Sequence, residues 1–458
     1  MSASARRLFG TDGIRGRYGE SLTDTTAAEL GAALATEYPA GLILVGRDTR
    51  PSGDPLAEAL IGALQHGGAE AIDVGVITTP GLAALVAGEP LVACGVVVTA
   101  SHNPVDYNGL KVLGRDGRKV PDAVERSLEA SMGASAAALL PRAAAGRSIA
   151  ARGLNAAQLR DRYRALLAAA AAAEVPGGAA TGLRVVADAA HGAGSDYIVA
   201  ALETTGASVQ PFAVAPGTIN DGVGATAPEA LGRAVIAAGA DLGVALDGDG
   251  DRCVAVDERG KPLDGDLLIA LIALDRHARG LPGADRVVAT ILTNSAVERA
   301  LAAVGIALER TPVGDRHVAE RLAATSAGFG GEKSGHLLFP ERSTTGDGIL
   351  SALALIGLLV RTGRPLSELA AGIRLDPQRQ VGVEIAPGSA AAIMADAALA
   401  RAMAEAEAAL RAIGGRLVVR PSGTEPLLRI MGEAPDAEAL REAVERVAAT
   451  AERLARGG

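Results

Sequence analysis

The most restrictive feature of the sequence is a short apolar run that stops abruptly in a polar turn. Residues Val96 to Val98 form a β-branched run that predicts a buried strand. Thr99 to Pro104 follows at once, and its Asn-Pro pair, like Asn108-Gly109 further on, is typical of turns. Ser101 is therefore expected where the carboxyl end of a strand meets a loop, which is where open α/β sheets bind ligands. The spacing alone leaves open a serine that only caps the turn.

Strands and helices alternate along most of the chain. Leu42 to Val45 predicts a strand, Leu56, Leu60 and Leu64 predict an amphipathic helix, and Ala71 to Val76 predicts the next strand. Such alternation indicates strands that pair in parallel through crossover helices.

We predict four domains from this pattern. Three are α/β domains with mixed sheets, and the last is a smaller α+β domain. Their predicted bounds are residues 1–150, 151–257, 258–375 and 376–458. Residues 131–150 are rich in Ala, Ser and Gly and are expected to pass between the first two domains. In the last domain we expect an antiparallel strand at 380–385 and one long helix at 390–413.

Three aspartates alternate in the stretch Asp247-Gly248-Asp249-Gly250-Asp251. Carboxylates this close repel one another unless a cation is present, so we predict a divalent metal site. Hard oxygen ligands favour Mg²⁺ over Zn²⁺. An EF-hand loop is disfavoured because Arg252 occupies the position where that loop needs Gly, although Glu258 matches its final acid. A phosphatase with Asp247 as its nucleophile stays open, although it would leave the Ser101 loop superfluous.

Two further polar loops predict ligand contacts. The loop Arg420 to Pro426, with Arg429 beyond it, combines small residues with two guanidinium groups, which suits a phosphate group. A capped turn before a helix would use the same residues. The loop Glu332 to His336 offers donors and acceptors for sugar hydroxyls, but a polar Gly-rich loop is common.

Taken together, these motifs resemble those of the α-D-phosphohexomutases. That family's active-serine pattern, T-(A/G)-S-H-N-P followed by N-G-x-K, is matched by Thr99 to Pro104 and by Asn108, Gly109 and Lys111. The resemblance extends over essentially the whole chain. It implies a heart-shaped arrangement of four domains around a central cleft.

The resemblance also implies a role for each matching residue. Ser101 would be phosphorylated, would transfer its phosphoryl group to form a sugar 1,6-bisphosphate, and would then regain the other phosphate. The implied catalytic residues are Ser101, Arg15, Lys111, Arg252 and His336, and the implied metal ligands are Ser101, Asp247, Asp249 and Asp251. The implied substrate contacts are Glu332, Lys333, Ser334 and His336, the phosphate contacts are Arg420, Ser422, Gly423, Thr424 and Arg429, and the supporting residues are His102 and Asn103.

Several motifs resemble the phosphoglucosamine mutase branch, including F-G-T-D-G-I-R-G at residues 9–16 and the turn at 313–316. Two stretches depart from it: Lys333 stands where Gln is usual, and Val105 to Asn108 resembles the phosphomannomutase branch. A cation at position 333 would repel an amino sugar unless it points away. The implied reaction interconverts glucosamine 6-phosphate and glucosamine 1-phosphate, toward UDP-N-acetylglucosamine and cell-wall precursors. The alternatives are a phosphomannomutase or phosphoglucomutase, a Mg²⁺-dependent sugar-phosphate phosphatase and, remotely, a non-catalytic sensor.

Composition excludes some classes of function. A net charge of −9 provides no basic stripe for nucleic acid. The most apolar runs are too short to span a bilayer, so we expect a cytoplasmic protein with no membrane partner. A homodimer is compatible with this expectation. Cys94 and Cys253 lie in strand-like runs and are predicted to be core residues.

Overall fold

Four β-sheets follow one another along the chain. The structure is a computed structural model, and it describes residues 8–10, 12–39, 41–135, 154–422 and 426–457. The first three sheets mix parallel and antiparallel pairs, whereas the fourth is antiparallel throughout. The predicted fold class, three α/β units and a smaller α+β unit, is confirmed.

The first unit has a six-stranded sheet with the order β1-β2-β6-β5-β3-β4. Its elements are β1 (Phe9–Gly10), β2 (Gly13–Arg17), α1 (Asp24–Glu37), β3 (Leu42–Arg47), α2 (Gly53–His66), β4 (Glu70–Val76), α3 (Thr79–Gly88), β5 (Val92–Val98), β6 (Tyr107–Leu113) and α4 (Asp122–Ser135). Strand β3 pairs in parallel with β4 and β5, and β5 pairs antiparallel with β6. The Ser101 loop is therefore the connection between two adjacent central strands.

The second and third units each have a four-stranded sheet, with the orders β10-β9-β7-β8 and β12-β11-β13-β14. The second contains α5 (Ala156–Glu174), β7 (Arg184–Asp188), α6 (Ile198–Glu203), β8 (Ser208–Phe212), α7 (Pro228–Ala238), β9 (Leu242–Leu246) and β10 (Cys253–Asp257). The third contains α8 (Gly265–Ala278), β11 (Arg286–Thr290), α9 (Ser295–Ala302), β12 (Ala307–Thr311), α10 (Asp315–Thr325), β13 (Phe329–Gly331), β14 (Leu337–Leu338), α11 (Gly348–Thr362) and α12 (Leu366–Ala371).

The C-terminal unit is a three-stranded sheet with the order β15-β17-β16, covered by helices. It contains β15 (Gln378–Glu384), α13 (Ala390–Met394), α14 (Ala397–Ala412), β16 (Arg416–Pro421), β17 (Leu427–Glu433) and α15 (Ala437–Gly457). The antiparallel strand predicted at 380–385 is confirmed as part of β15.

The single helix predicted for 390–413 is wrong. Two helices cover this segment, because the Asp396 side chain accepts a hydrogen bond from the Ala398 N–H and starts a new helix. The predicted passage at 131–150 needs a smaller correction: residues 131–135 still belong to α4, and residues 136–150 lie outside the described residues.

One continuous hydrophobic core joins the first three units. It includes Leu44 of β3, Tyr163 of α5, Leu246 of β9 and Ile349 of α11. The C-terminal unit has a separate core of its own. The first three units therefore hold one another by apolar burial, and the contacts of the fourth unit with the third include the polar network described below.

The prediction for the two cysteines can be judged here. Cys94 and Cys253 are free and buried, which confirms them as core residues. None of the helices in the described ranges is long and apolar enough to cross a membrane.

Candidate active site

Ser101 is held in an uncommon backbone conformation at the end of β5. Its φ is 52°, in the left-handed region that residues with a Cβ seldom adopt. The side chain is buried; its Oγ donates to Asp247 Oδ2 at 2.6 Å and lies 3.1 Å from His102 Nδ1. The serine therefore faces a carboxylate from the second unit, and it is not merely a turn cap.

Two residues from different units hold the backbone of this loop. The fully buried Arg50, paired with Asp48, donates from Nη2 to the Ser101 oxygen at 3.0 Å and the Asn103 oxygen at 2.7 Å. Asn220 Nδ2 donates to the same two oxygens, at 2.8 Å and 3.2 Å. Sequence reasoning assigned no role to either residue. Arg50 had one available signal, since it is a charged residue three positions after an apolar strand.

The three predicted metal ligands lie together between β9 and β10. Asp247, Asp249 and Asp251 are buried, and one oxygen of each lies within 4.8 Å of the others. Asp249 Oδ1 and Asp251 Oδ1 are buried and have no hydrogen-bond partner among the described residues. Buried carboxylate oxygens without donors are costly unless a cation meets them, so this cluster could bind a metal.

Lys111 is the protein's own cation at this cluster. Its buried Nζ lies 3.0 Å from Asp249 Oδ2, 3.3 Å from Asp12 Oδ2 and 3.6 Å from Asp251 Oδ2. Burial lowers the pKa of Lys111, but the three carboxylates outweigh burial and raise it. Burial and the charges of Asp251 and Asp249 raise the pKa of Asp247 far above its usual range. One ammonium thus faces three carboxylates, so further positive charge at this cluster would be favourable.

Other polar groups surround the cluster. Arg15 of β2 forms an ion pair with Asp12. Burial raises the pKa of Asp12, but Lys111 and Arg15 outweigh it and lower that pKa to about 2. Arg252 Nε lies 3.9 Å from oxygens of both Asp247 and Asp251.

Two further residues lie beside the cluster: His102, which the sequence predicts as a supporting residue, and Thr79, which it does not single out. Burial, followed by the charges of Arg252 and Arg15, lowers the pKa of His102 to about 4, so its ring is neutral at neutral pH. Thr79, at the start of α3, was missed, although it donates to Asp249 Oδ2 at 2.6 Å.

His336 is buried beside the cluster, with Nε2 4.0 Å from Asp251 Oδ2. Neither ring nitrogen has a hydrogen-bond partner within the described ranges. A cavity of about 240 Å³ opens here and is lined by residues of the first three units, among them Lys111, Asp251, His336 and Arg316. The structure thus places His336 where a small polar ligand could reach it.

The loop at residues 332–336 follows β13 and is here called the sugar loop, because the sequence predicts sugar contacts in it. Glu332 Oε1 accepts a hydrogen bond from the Gly314 N–H at 3.0 Å, and Ser334 is exposed. Lys333 points elsewhere: its Nζ lies 2.9 Å from Asp264 Oδ2 and donates to Gln378 Oε1 at 2.8 Å. Of the predicted sugar contacts, Lys333 is therefore already engaged by protein groups, whereas Ser334 is exposed.

The predicted phosphate site lies on the C-terminal sheet. Arg420 of β16 and Arg429 of β17 are direct register partners. Burial and the nearby charge of Arg429 lower the pKa of Arg420, while Glu332 opposes this. Two adjacent guanidinium groups could bind an anion. Ser422 ends this strand pairing through a 2.8 Å bond from its N–H to the Leu427 oxygen, whereas Gly423 and Thr424 lie outside the described residues.

Comparison with protein families covers almost the whole chain. Four models match in order: phosphoglucomutase/phosphomannomutase alpha/beta/alpha domain I at residues 6–138, domain II at 162–260, domain III at 264–374, and the C-terminal domain at 383–450.

Curated relatives and solved structures agree with this match. A phosphoglucosamine mutase of Heliobacterium modesticaldum is 43% identical over 457 residues, covering 96% of this chain and 98% of its own. One from Rubrobacter xylanophilus is 43% identical over 464 residues and covers both chains completely. Among structures, a phosphoglucomutase/phosphomannomutase family protein from Burkholderia thailandensis has a TM-score of 0.79 at 24% identity and covers 99% of this chain and 98% of its own. N-acetylphosphoglucosamine mutase of Aspergillus fumigatus, in complex with GlcNAc-6P and magnesium, has a TM-score of 0.64 at 18% identity, with 98% and 96% covered.

Proposed function

This chain belongs to the phosphoglucomutase/phosphomannomutase family, and on that premise we propose that it is a mutase interconverting glucosamine 6-phosphate and glucosamine 1-phosphate. Full-length relatives named phosphoglucosamine mutase support this choice of sugar. The observation that carries the chemistry is the position of Ser101 Oγ, 2.6 Å from Asp247 in a buried carboxylate cluster. A hydroxyl placed there can receive and donate a phosphoryl group beside a cation site.

We propose Mg²⁺ as the cation. Asp247, Asp249 and Asp251 would hold it together with the phosphate on Ser101, and the unpartnered oxygens of Asp249 and Asp251 fit that role. When bound, the ion neutralises negative charge on the transferring phosphoryl group. The three aspartates supply the hard oxygen ligands that Mg²⁺ prefers.

The proposed reaction starts with a phosphoryl group on Ser101 Oγ. A hydroxyl oxygen of the sugar phosphate bonds to that phosphorus while the bond from phosphorus to Oγ breaks. The hydroxyl proton passes to a base, and the departing Oγ takes up a proton to become the serine hydroxyl. The resulting sugar bisphosphate turns over in the cleft. Ser101 then takes the other phosphoryl group, which restores the phosphorylated enzyme. His336, whose ring nitrogens are unpartnered, is our candidate for the proton acceptor or for a contact to a sugar hydroxyl.

The cations around Ser101 stabilise the charge that moves during transfer. Lys111 is held at the cluster by its carboxylates, and Arg252 and Arg15 border it. Preorganised positive groups need little rearrangement when charge develops, which is how they lower a barrier. His102 and the backbone of Asn103 support the serine loop.

A substrate with two ends explains the second site. Arg420 and Arg429 would grip the phosphate that is not reacting, and Glu332 and Ser334 would contact the sugar. Because the bisphosphate must bind in two orientations, this pair of arginines has to accept either end. Ser422, Gly423 and Thr424 complete the proposed phosphate loop.

Two measurements test the proposal. Mass spectrometry of the purified protein should show a phosphate on Ser101. Initial rates should give a higher kcat/KM for glucosamine 1-phosphate than for glucose 1-phosphate or mannose 1-phosphate. A clear preference for mannose 1-phosphate would replace the sugar but keep the mutase, whereas net release of inorganic phosphate without isomerisation would indicate a phosphatase.

The proposed substrate indicates the compartment in which the enzyme acts. Charged sugar phosphates do not cross membranes unaided, so we propose that it acts in the cytoplasm. The net charge of −9 disfavours any role with nucleic acid.

A further inference from the structure

Lys333 lies in the middle of the sugar loop, yet its ammonium group meets the C-terminal unit. Its Nζ donates to Gln378 Oε1 at 2.8 Å, and Gln378 is the first residue of β15. The same nitrogen lies 2.9 Å from Asp264 Oδ2 and 3.8 Å from Asp266 Oδ2. Three protein groups thus bind the ammonium of Lys333, which the sequence predicts as a contact to the sugar.

The two aspartates need this cation. Asp264 caps α8 by accepting from the Asp266 N–H at 3.0 Å, so the two side chains are close neighbours. Asp266 is buried; burial, followed by the charge of Asp264, raises its pKa to about 6 although Lys333 opposes this. Its Oδ2 also accepts from the Asn294 N–H. Lys333 therefore offsets part of the negative charge of a carboxylate pair of the third unit.

Gln378 connects Lys333 to the other strands of the C-terminal sheet. Its Nε2 donates to Glu433 Oε2 at 2.6 Å and to the Leu292 oxygen at 2.9 Å. Glu433 is buried and accepts from Arg416 Nη2 at 3.2 Å. Gln378, Glu433 and Arg416 belong to β15, β17 and β16, so the network reaches every strand of this sheet.

The phosphate-binding arginines lie on these same strands. Arg420 follows Arg416 by four residues on β16, and Arg429 precedes Glu433 by four residues on β17. Four residues of strand span about 13 Å, a rigid distance within a paired sheet. Whatever fixes one end of these strands fixes the position of the arginines at the other end.

The backbone of the sugar loop is anchored at the same point. A Cβ on Gly265, the first residue of α8, would collide with the carbonyl oxygen of Lys333. The loop therefore rests directly on the start of α8, and the Lys333 side chain extends from there to β15. Both its backbone and its ammonium lie at the boundary between the third and fourth units.

We propose that Lys333 is a positioning residue that couples the sugar loop to the phosphate-binding sheet, and that it does not contact the sugar. The proposal rests on the proposed function insofar as it assigns a ligand to each of the two joined parts. An ammonium already engaged by two carboxylates and an amide does not repel an amino sugar. Position 333 therefore sets the distance between the two ends of the substrate and not the choice of sugar.

The first test measures the coupling without substrate, by hydrogen–deuterium exchange of the full-length protein. Lys333→Met keeps much of the side-chain length and removes the charge, whereas Lys333→Arg keeps the charge. We expect amides at 331–335 and at the start of β15 to exchange about tenfold faster in Lys333→Met, and close to the unaltered rate in Lys333→Arg. Lys261→Met, at an exposed lysine before α8, is the matched control.

A second variant covers the case in which Lys333→Met fails to fold. Gln378→Met cuts the same link from the other side while leaving Lys333 with its two aspartates. It should loosen the sugar loop, and where Lys333→Met folds, the double variant should be no looser than Lys333→Met alone. Unchanged exchange in the sugar loop of Gln378→Met would overturn the proposal.

Kinetics separate coupling from direct sugar contact. In Lys333→Met, KM should rise by about fivefold to tenfold for glucosamine 1-phosphate and glucose 1-phosphate alike, so the ratio of their kcat/KM values stays within about twofold. A change of about tenfold or more in that ratio would mean that Lys333 contacts the sugar after all. If no sugar phosphate is isomerised at all, the proposed function fails, and the exchange experiment still decides whether Lys333 couples the two units.

Discussion

Asn220 should control the rate of phosphoryl transfer, although its side-chain amide donates to backbone oxygens of the serine loop and not to a reacting group. Its Nδ2 donates to the Ser101 and Asn103 oxygens, and Ser101 keeps a φ of 52° beneath these bonds. Asn220→Ala removes both donors while Arg50 remains. Two neutral hydrogen bonds at about 1 kcal/mol each amount to about 2 kcal/mol of lost support for the loop. If that loss is felt in the transition state, kcat falls about thirtyfold.

The assay separates this effect from general destabilisation. Steady-state kcat and KM with glucosamine 1-phosphate are measured on fully phosphorylated enzyme, together with the thermal midpoint Tm. KM should change little, because the amide of Asn220 donates to the backbone of the serine loop and not to a predicted substrate contact. Asn220→Asp, which has nearly the same shape, should lose more activity, since its carboxylate would face two carbonyl oxygens without a proton to donate.

Asn155→Ala is the matched control. Asn155 caps α5 by accepting from the Gln158 N–H at 3.0 Å, on an exposed part of the second unit. Its loss should cost about 1 kcal/mol of stability and leave kcat unchanged. If Asn220→Ala kept kcat within about twofold of the unaltered enzyme, the idea that the loop backbone must be held from the second unit would be refuted.

The remaining predictions concern the nucleophile, the metal, the phosphate site and pH. Ser101→Ala should abolish isomerisation and leave circular dichroism unchanged, because the change removes one hydroxyl. Excess chelator should stop turnover and added Mg²⁺ should restore it, and Asp249→Asn should raise the Mg²⁺ concentration needed for half-maximal rate; full activity in chelator would contradict the metal role. Arg420→Ala or Arg429→Ala should raise KM for every sugar phosphate by a similar factor, which initial rates on three sugars will show. Burial raises the pKa of Asp188 to about 6 from 3.8. Since the folded state then binds the proton more tightly than the unfolded state, this carboxyl should lower stability by on the order of 3 kcal/mol as pH rises from about 4 to 6, and Asp188→Asn should reduce the slope in denaturant titrations by that amount.

Much of the site could be predicted from the sequence because its groups are short and contiguous. Ser101 follows the end of β5 by three residues, so its place at the end of a strand is a local property of the chain. The three aspartates alternate within five residues, so local backbone geometry brings their carboxylates together. The same holds for the fold class, since strand and helix periodicities are local signals. Local reasoning also has local errors: the segment 390–413 has helical composition throughout, and a single aspartate cap divides it.

Tertiary structure alone decided which distant residues meet. Arg50 and Asn220 lie 51 and 119 positions from Ser101, and no spacing rule links them to its backbone. It also decided where Lys333 points, because the motif gives its place in the loop but not the aspartates and the glutamine that receive its ammonium. Secondary structure and turns are set by interactions between near neighbours in the chain, and these are written in the sequence. The partners of a long side chain depend on how separate units pack, which is a property of the folded molecule as a whole.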